Sequence, residues 1–134
     1  MLRVVLDTNV LVSAAIKGGK PRVLLLMLLE EQTVISSKQL LIELSEVLSR
    51  DKFSVKDSQT NRYLEILSSN CKIVQDNARF KVVSADPDDD LILNVAYTGK
   101  ADFIVTGDQH LLALKSFKHT KIVKVSEILE ILKP

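Results

Sequence analysis

Uninterrupted apolar runs alternate along the chain with segments in which apolar residues recur at helical spacing. The runs are short and rich in β-branched residues, which is typical of strands buried on both faces. The predicted strands are residues 2–6, 33–36, 72–74, 80–83, 103–106 and 122–125. The predicted helices are residues 12–16, 21–30, 38–50, 58–69, 86–99, 109–114 and 126–132. This alternation predicts an α/β domain with a parallel sheet between layers of helices.

Composition limits the classes of protein that the chain can belong to. Its 134 residues contain no repeat, low-complexity tract or linker, so residues 1–134 are expected to form one domain. Lys and Arg number 18 against 17 Asp and Glu, a net charge of +1. This balance does not indicate nucleic-acid binding, although a neutral sum can hide an acidic pocket inside a basic rim. An aromatic content of 4% argues against a stacking platform for single-stranded bases.

The sequence also predicts where the protein resides. The longest apolar stretch, residues 23–29, is too short to cross a bilayer, and the N-terminus carries no secretory signal. The single cysteine, Cys71, cannot form an internal disulfide and is expected to be a buried core thiol. We therefore expect a cytoplasmic protein with no membrane contact.

Two predicted strands end at a Thr and an Asp. The first runs into Asp7-Thr8-Asn9, and the second runs into Thr106-Gly107-Asp108. Because ligands bind at the carboxyl edge of parallel sheets, two carboxylates delivered there favour a metal site. The alternative is that Asp7 and Asp108 only cap the helices that follow them.

Further acids could join this edge. Glu43 falls on the border of the apolar stripe of its helix, where it could turn inward, or it could be a surface residue paired with Arg50. In Asp86-Pro87-Asp88-Asp89-Asp90, the first and third acids are expected to form a turn and a helix cap. Asp90 lies one turn before Asn94, and Asp89 is its rival for a place in the site.

The donor types indicate which metal such a site would hold. Several carboxylates brought together without a cation would repel one another by about 4 kcal/mol per pair at 4 Å and an effective dielectric constant of 20. Oxygen ligands favour Mg²⁺ or Mn²⁺ over zinc. The two histidines, His110 and His119, have no ligand partners at suitable spacing.

Four motifs, in this order and spacing, resemble those of PIN-domain ribonucleases, and of the small VapC-like toxins of prokaryotic toxin–antitoxin pairs in particular. The resemblance covers nearly the whole chain. The motifs are residues 5–14 (VLDTNVLVSA), 41–48 (LIELSEVL), 86–96 (DPDDDLILNVA) and 101–108 (ADFIVTGD). The resemblance implies a three-layer α/β/α fold with a central parallel sheet of four or five strands.

The resemblance also implies roles for individual residues. Asp7, Glu43, Asp90 and Asp108 would be the catalytic, metal-binding acids. Asn9 and Thr106 would position those acids or a water molecule, and Asp89 would stand beside them. The implied partners are an antitoxin protein and a second copy of the chain in a homodimer.

The resulting hypothesis is hydrolysis of single-stranded RNA with Mg²⁺ or Mn²⁺, in which Asp7 or Asp108 orients the attacking water. Basic residues must hold the polyanion outside an acidic pocket. The candidates for this task are Lys17, Lys20, Arg22, Arg50 and Lys52. A catalytically silent binding module of the same fold is the alternative. A phosphatase with Asp7 as nucleophile is disfavoured because Asp7-Thr8-Asn9 lacks a second Asp.

Overall fold

The computed structural model describes residues 1–75 and 87–134. The strands are β1 (Arg3–Leu6), β2 (Thr33–Ser36), β3 (Lys72–Ile73), β4 (Phe103–Val105), β5 (Ser116–Phe117) and β6 (Thr120–Val123). The helices are α1 (Thr8–Ile16), α2 (Gly19–Glu31), α3 (Lys38–Leu48), α4 (Asp57–Asn70), α5 (Pro87–Thr98), α6 (Gln109–Leu114) and α7 (Val125–Leu132), with a 3₁₀ turn at Asp51–Phe53. The strand predicted at residues 80–83 and the turn at Asp86 lie outside the described residues.

The strands form one sheet in the order β3-β2-β1-β4-β6-β5. All neighbouring pairs are parallel except β5 and β6. The mixed α/β class and the parallel core are therefore confirmed. The described residues contain six strands rather than four or five, because the two-residue β5 pairs antiparallel with β6 as a hairpin. The β5 strand has one apolar residue, Phe117, and therefore no hydrophobic pattern that predicts it.

Hydrophobic clusters cover both faces of the sheet. Residues of α1, α2, α3, α4 and α7 pack against Val4, Leu6 and Val105 on one face. Residues of α5 and α6 pack against Val5 and Ile104 on the other. Successive residues of β1 thus point into different clusters, as the pleat of a strand requires. The expected three-layer arrangement is confirmed.

Local sequence explains where several helices begin. The Asp7 side chain accepts a hydrogen bond from the Asn9 amide, and the Ser37 side chain accepts one from the Leu40 amide. Because Asp7 caps it, α1 begins at Thr8, four residues before the predicted start. In α2, Pro21 is the third residue rather than the first, because Gly19 (φ +59°) starts the helix. Within residues 1–75 and 87–134, no helix is long and apolar enough to span a membrane.

The α2 helix presents both buried and exposed leucines. Leu24, Leu25 and Leu28 are buried in the core, whereas Val23 and Leu26 are 53% and 59% exposed. The apolar run of residues 23–29 therefore contributes mainly to the core, and its exposed side is an apolar stripe on the surface.

Candidate functional site

Asp7 follows β1 directly and is buried, with 7% of its surface exposed. Its Oδ1 accepts a hydrogen bond from the Asn9 backbone N–H at 3.2 Å, and its Oδ2 accepts one from the Thr106 hydroxyl at 2.5 Å. The carboxylate is thereby fixed from both sides. Since β1 lies between β2 and β4, Asp7 sits at the middle of the carboxyl edge.

Thr106 connects Asp7 to Asp108. The Thr106 hydroxyl, which donates to Asp7, also accepts the Asp108 amide at 3.0 Å. Asp108 is partly buried, and its Oδ1 accepts the amides of His110 and Leu111 at the start of α6. The structure thus joins Asp7, Thr106 and Asp108 in one hydrogen-bonded chain. Asp7 and Asp108 also cap α1 and α6, so the helix-capping role expected of these two residues is present.

The start of α5 lies at the same edge of the sheet. Arg3, the first residue of β1, donates to the Gly99 carbonyl at the end of α5 from both Nε and Nη2, at 2.9 and 2.8 Å. Asp89 is ten residues before Gly99, or about 15 Å along a helix. Asp7 is four residues after Arg3, or about 13 Å along a strand. The two runs have similar lengths, which is consistent with Asp89 and Asp7 lying at the same end of the sheet.

Asp89 and Asp90 differ in burial. Asp89 is 5% exposed and shares a helix face with Leu93 and Ala96, which are fully buried. Asp90 is partly exposed, and its face continues to Tyr97, which is 48% exposed. Sequence could not decide between the two, because neighbouring helical residues point about 100° apart and the rotation of the helix was unknown.

Glu43 lies in the second turn of α3, which begins directly after β2. It is partly buried, between the exposed Ile42 and the buried Leu44. Its helix packs against α1, the helix that Asp7 caps. Glu43 therefore occupies the border position expected from the sequence, on the helix that follows the strand next to Asp7.

Two buried hydroxyls flank Asp7. Thr8 Oγ1 and Ser36 Oγ have no hydrogen-bond partner in the described part of the chain, although both residues are less than 5% exposed. Ser36 ends β2 and Thr8 follows Asp7. A buried hydroxyl without a partner costs free energy unless water or a ligand satisfies it. These groups and the carboxylates make an oxygen-rich edge, whose chemistry fits a hard divalent cation.

The arrangement at this edge is open. Within residues 1–75 and 87–134, no group of three or more His, Cys, Asp or Glu side chains is placed so that it could hold a metal ion. In the described residues, the acids therefore do not form a closed coordination shell.

The predicted basic residues occupy different places. Lys20 lies beside Asn9 and Thr106, at the mouth of a cleft. Arg22 donates to the carbonyls of Ala14 and Ala15 at the end of α1, at 2.8 and 2.9 Å. Its guanidinium therefore satisfies helix carbonyls that lack partners within α1.

The other three candidates lie away from that cleft. Lys17 is exposed beyond the end of α1. Arg50 and Lys52 follow the far end of α3, and the Lys52 ammonium lies 5.0 Å from the centre of the Phe53 ring.

The cleft beside the acids has a volume of about 460 Å³. We call it the α1–α7 cleft, because α1, the start of α2 and the junction of β6 with α7 enclose it. It is lined by Asn9, Val10, Ser13, Lys20, Pro21, Thr106, Gly107, Lys124, Val125 and Ser126. Sequence reasoning missed Lys124, which was placed inside a strand predicted at residues 122–125. Because β6 ends at Val123, Lys124 instead stands at the carboxyl edge.

Comparison with known proteins assigns this fold to a family. The family model described as PIN domain matches residues 3–110. The chain therefore belongs to the PIN domain family, as its four motifs predicted. The match includes every acid discussed above.

Individual relatives agree with this assignment. Uncharacterized protein MJ1680 of Methanocaldococcus jannaschii is 36% identical over 132 residues, which cover 95% of this chain and 83% of that protein. A chain in the crystal structure of VapBC2 from Rickettsia felis, bound to a DNA fragment from their promoter, has a TM-score of 0.65 and 20% identity, and the match covers 92% of this chain and 98% of that chain. The structure of PAE2754 from Pyrobaculum aerophilum also has a TM-score of 0.65, with 19% identity and coverage of 98% and 89%. These two solved structures share the fold.

Proposed function

We propose that this PIN domain is a divalent-cation-dependent ribonuclease that hydrolyses phosphodiester bonds of single-stranded RNA. The observation that carries the proposal is the buried Asp7 carboxylate, which the Asn9 backbone amide and the Thr106 hydroxyl hold at the carboxyl edge, with Asp108 joined to the same threonine hydroxyl. Burying a charge is costly, and such arrangements are concentrated at functional sites.

Four acids would hold Mg²⁺ or Mn²⁺ in this proposal. Three of them are Asp7, Glu43 and Asp108. From α5 we favour Asp89 over Asp90, because Asp89 continues the buried face of the helix. When bound, a divalent cation supplies charge neutralisation at the scissile phosphate and a lower pKa for the attacking water.

The chain's own groups divide the remaining work. The Asn9 amide and the Thr106 hydroxyl hold the Asp7 carboxylate in one orientation, so that it need not reorganise when substrate binds. Asp108 Oδ1 accepts two amides, while its Oδ2 makes no hydrogen bond within the described residues. We assign this oxygen the task of orienting the attacking water and accepting its proton.

The proposal extends to the biological role and the partners of the protein. The motifs and the shared fold support a toxin of the VapC kind, which acts in the cytoplasm and is held inactive by an antitoxin protein. The exposed side of α2, with Val23 and Leu26, would contribute to a homodimer interface. Two observations test these partners, namely whether a neighbouring gene encodes a small DNA-binding protein and whether the purified chain elutes as a dimer.

The central test measures thermal unfolding with and without Mn²⁺, together with cleavage of a labelled single-stranded RNA. A cation that relieves carboxylate repulsion raises the melting temperature of the parent and does little for Asp7→Asn. Asp51→Asn removes an exposed acid of the 3₁₀ turn and serves as the matched control, which should respond as the parent does. Equal Mn²⁺ shifts in the parent and Asp7→Asn would contradict the metal site.

The two adjacent acids of α5 offer a second matched pair. Asp89→Asn should lose both the Mn²⁺ shift and RNA cleavage, whereas Asp90→Asn should keep them. The reverse pattern would assign the role to Asp90. A parent protein that binds RNA but does not cut it with Mg²⁺ or Mn²⁺ would favour the silent binding module over the nuclease.

A further inference from the structure

The α1–α7 cleft is continuous with the acid edge. Asn9 and Thr106 line the cleft, and both hold the Asp7 carboxylate through hydrogen bonds. Gly107, which separates Thr106 from Asp108, also lines it. A molecule seated in the cleft is therefore next to the acids.

The lining combines an apolar wall with two cations. Val10, Pro21 and Val125 provide the apolar surface, and Lys20 and Lys124 are exposed at its rim. No Asp or Glu among the described residues lines the cleft, and neither lysine forms an ion pair in the described part of the chain. Both ammonium groups are thus available to an anion from outside.

This combination matches one chemical class of ligand. A nucleotide unit of RNA has a flat base that packs on apolar surface and phosphates on either side that attract cations. The volume of about 460 Å³ lies in the range of small-molecule sites. An acid edge alone repels a polyanion, so cations beside it are required to retain the strand.

We propose that the α1–α7 cleft holds the nucleotide adjoining the phosphodiester bond that is cut, with Lys20 and Lys124 bound to its flanking phosphates. The identity of the ligand as RNA rests on the proposed function. Lys124 gains a role that no motif indicates, while Arg22, Arg50 and Lys52 take no part in this contact.

Binding can be tested without cleavage in an Asp7→Asn background, by fluorescence anisotropy of a labelled 12-nucleotide RNA of mixed sequence. Lys20→Ala and Lys124→Ala should each raise Kd about threefold or more and lower the slope of log Kd against log salt by about 0.7. Lys133→Ala, at the opposite end of α7 from Lys124, is the charge-matched control, because the Lys133 ammonium already pairs with Glu130 at 2.9 Å. Equal effects of all three substitutions on Kd would contradict the proposal that the cleft binds RNA.

A second variant separates binding from folding. Ser126 is exposed at the second position of α7 and lines the cleft. Ser126→Glu places an anion there, yet an acid in the first turn is favourable to the helix. The variant should melt no lower than the parent and should bind RNA at least threefold more weakly than Ser126→Gln, which adds a side chain of the same size without the charge. Unchanged binding by Ser126→Glu would contradict the proposal.

The possible results distinguish the proposal that the cleft binds RNA from the proposal that the protein is a nuclease. Lysine-dependent binding without cleavage by the parent refutes the nuclease and leaves the cleft standing. If the parent cleaves RNA but binding does not depend on Lys20 and Lys124, the cleft proposal is refuted and the nuclease proposal stands. Weakened capture of an unstructured peptide, with RNA binding unchanged in the lysine variants, assigns the cleft to a protein partner instead.

Discussion

Replacing Thr106 by Val tests the hydrogen-bonded centre of the site directly. Valine has nearly the same shape as threonine, but it can neither donate to Asp7 nor accept from the Asp108 amide. Thr106 and Asp7 are 1% and 7% exposed, so water cannot readily replace the lost hydroxyl. The substitution therefore isolates the contribution of one oxygen atom to stability.

The expected loss of folding stability follows from the two hydrogen bonds that the Thr106 hydroxyl makes, with the Asp7 carboxylate and with the Asp108 backbone N–H. A hydrogen bond to a charged group contributes about 1.5–3 kcal/mol and a neutral one about 0.5–1.5 kcal/mol. Because Asp108 is partly exposed, its amide recovers some of its loss by binding water. We expect the free energy of unfolding to fall by about 2–4 kcal/mol. With a urea dependence of about 1–3 kcal/mol per M, the unfolding midpoint should drop by about 1 M or more.

Urea unfolding followed by circular dichroism measures this shift. Thr106→Ser keeps the hydroxyl and loses one methyl group, so it should cost only about 1 kcal/mol. In an Asp7→Asn background the acceptor is uncharged, and Thr106→Val should cost less than in the parent. Equal midpoints for the Val and Ser variants would refute the reasoning.

Two further predictions concern the core. Gly99→Ala should lower the free energy of unfolding by about 1–3 kcal/mol, because an added Cβ would lie 2.6 Å from Cγ2 of Ile35. Gly107→Ala is the control, because a Cβ added there meets no atom within 4 Å. Equal urea midpoints for the two variants would contradict the close packing of Gly99 against Ile35. Burial raises the pKa of the Cys71 thiol from 9.0 to about 11, so iodoacetamide at pH 8 should label it about 100-fold more slowly than in the urea-unfolded chain, as mass spectrometry can measure. Similar labelling rates in both states would contradict the raised pKa of this partly buried thiol.

The parts of the fold that sequence predicted are those set by long apolar runs. Helices cover both faces of strands β1, β2 and β4, and each strand was predicted to within a residue or two. The acids at the ends of β1 and β4 could be predicted for the same reason, because a strand end fixes where the next side chain lies.

The remaining features depend on tertiary contacts. Which of Asp89 and Asp90 is buried depends on the rotation of α5 about its axis, which packing against the sheet decides. Lys124 enters the site because α7 packs against α2, near the residue where β6 ends. β5 exists only as the partner of β6 in a hairpin turn where Lys118 adopts a positive φ of 55°.

The hydrogen bond between Thr106 and Asp7 joins residues 99 positions apart. Every fragment that stops short of Thr106 therefore lacks both Thr106 and Asp108, however well its first strands and helices fold. During translation, the finished acid edge cannot form until most of the polypeptide has been made, so the timing of synthesis itself delays any activity that this edge has.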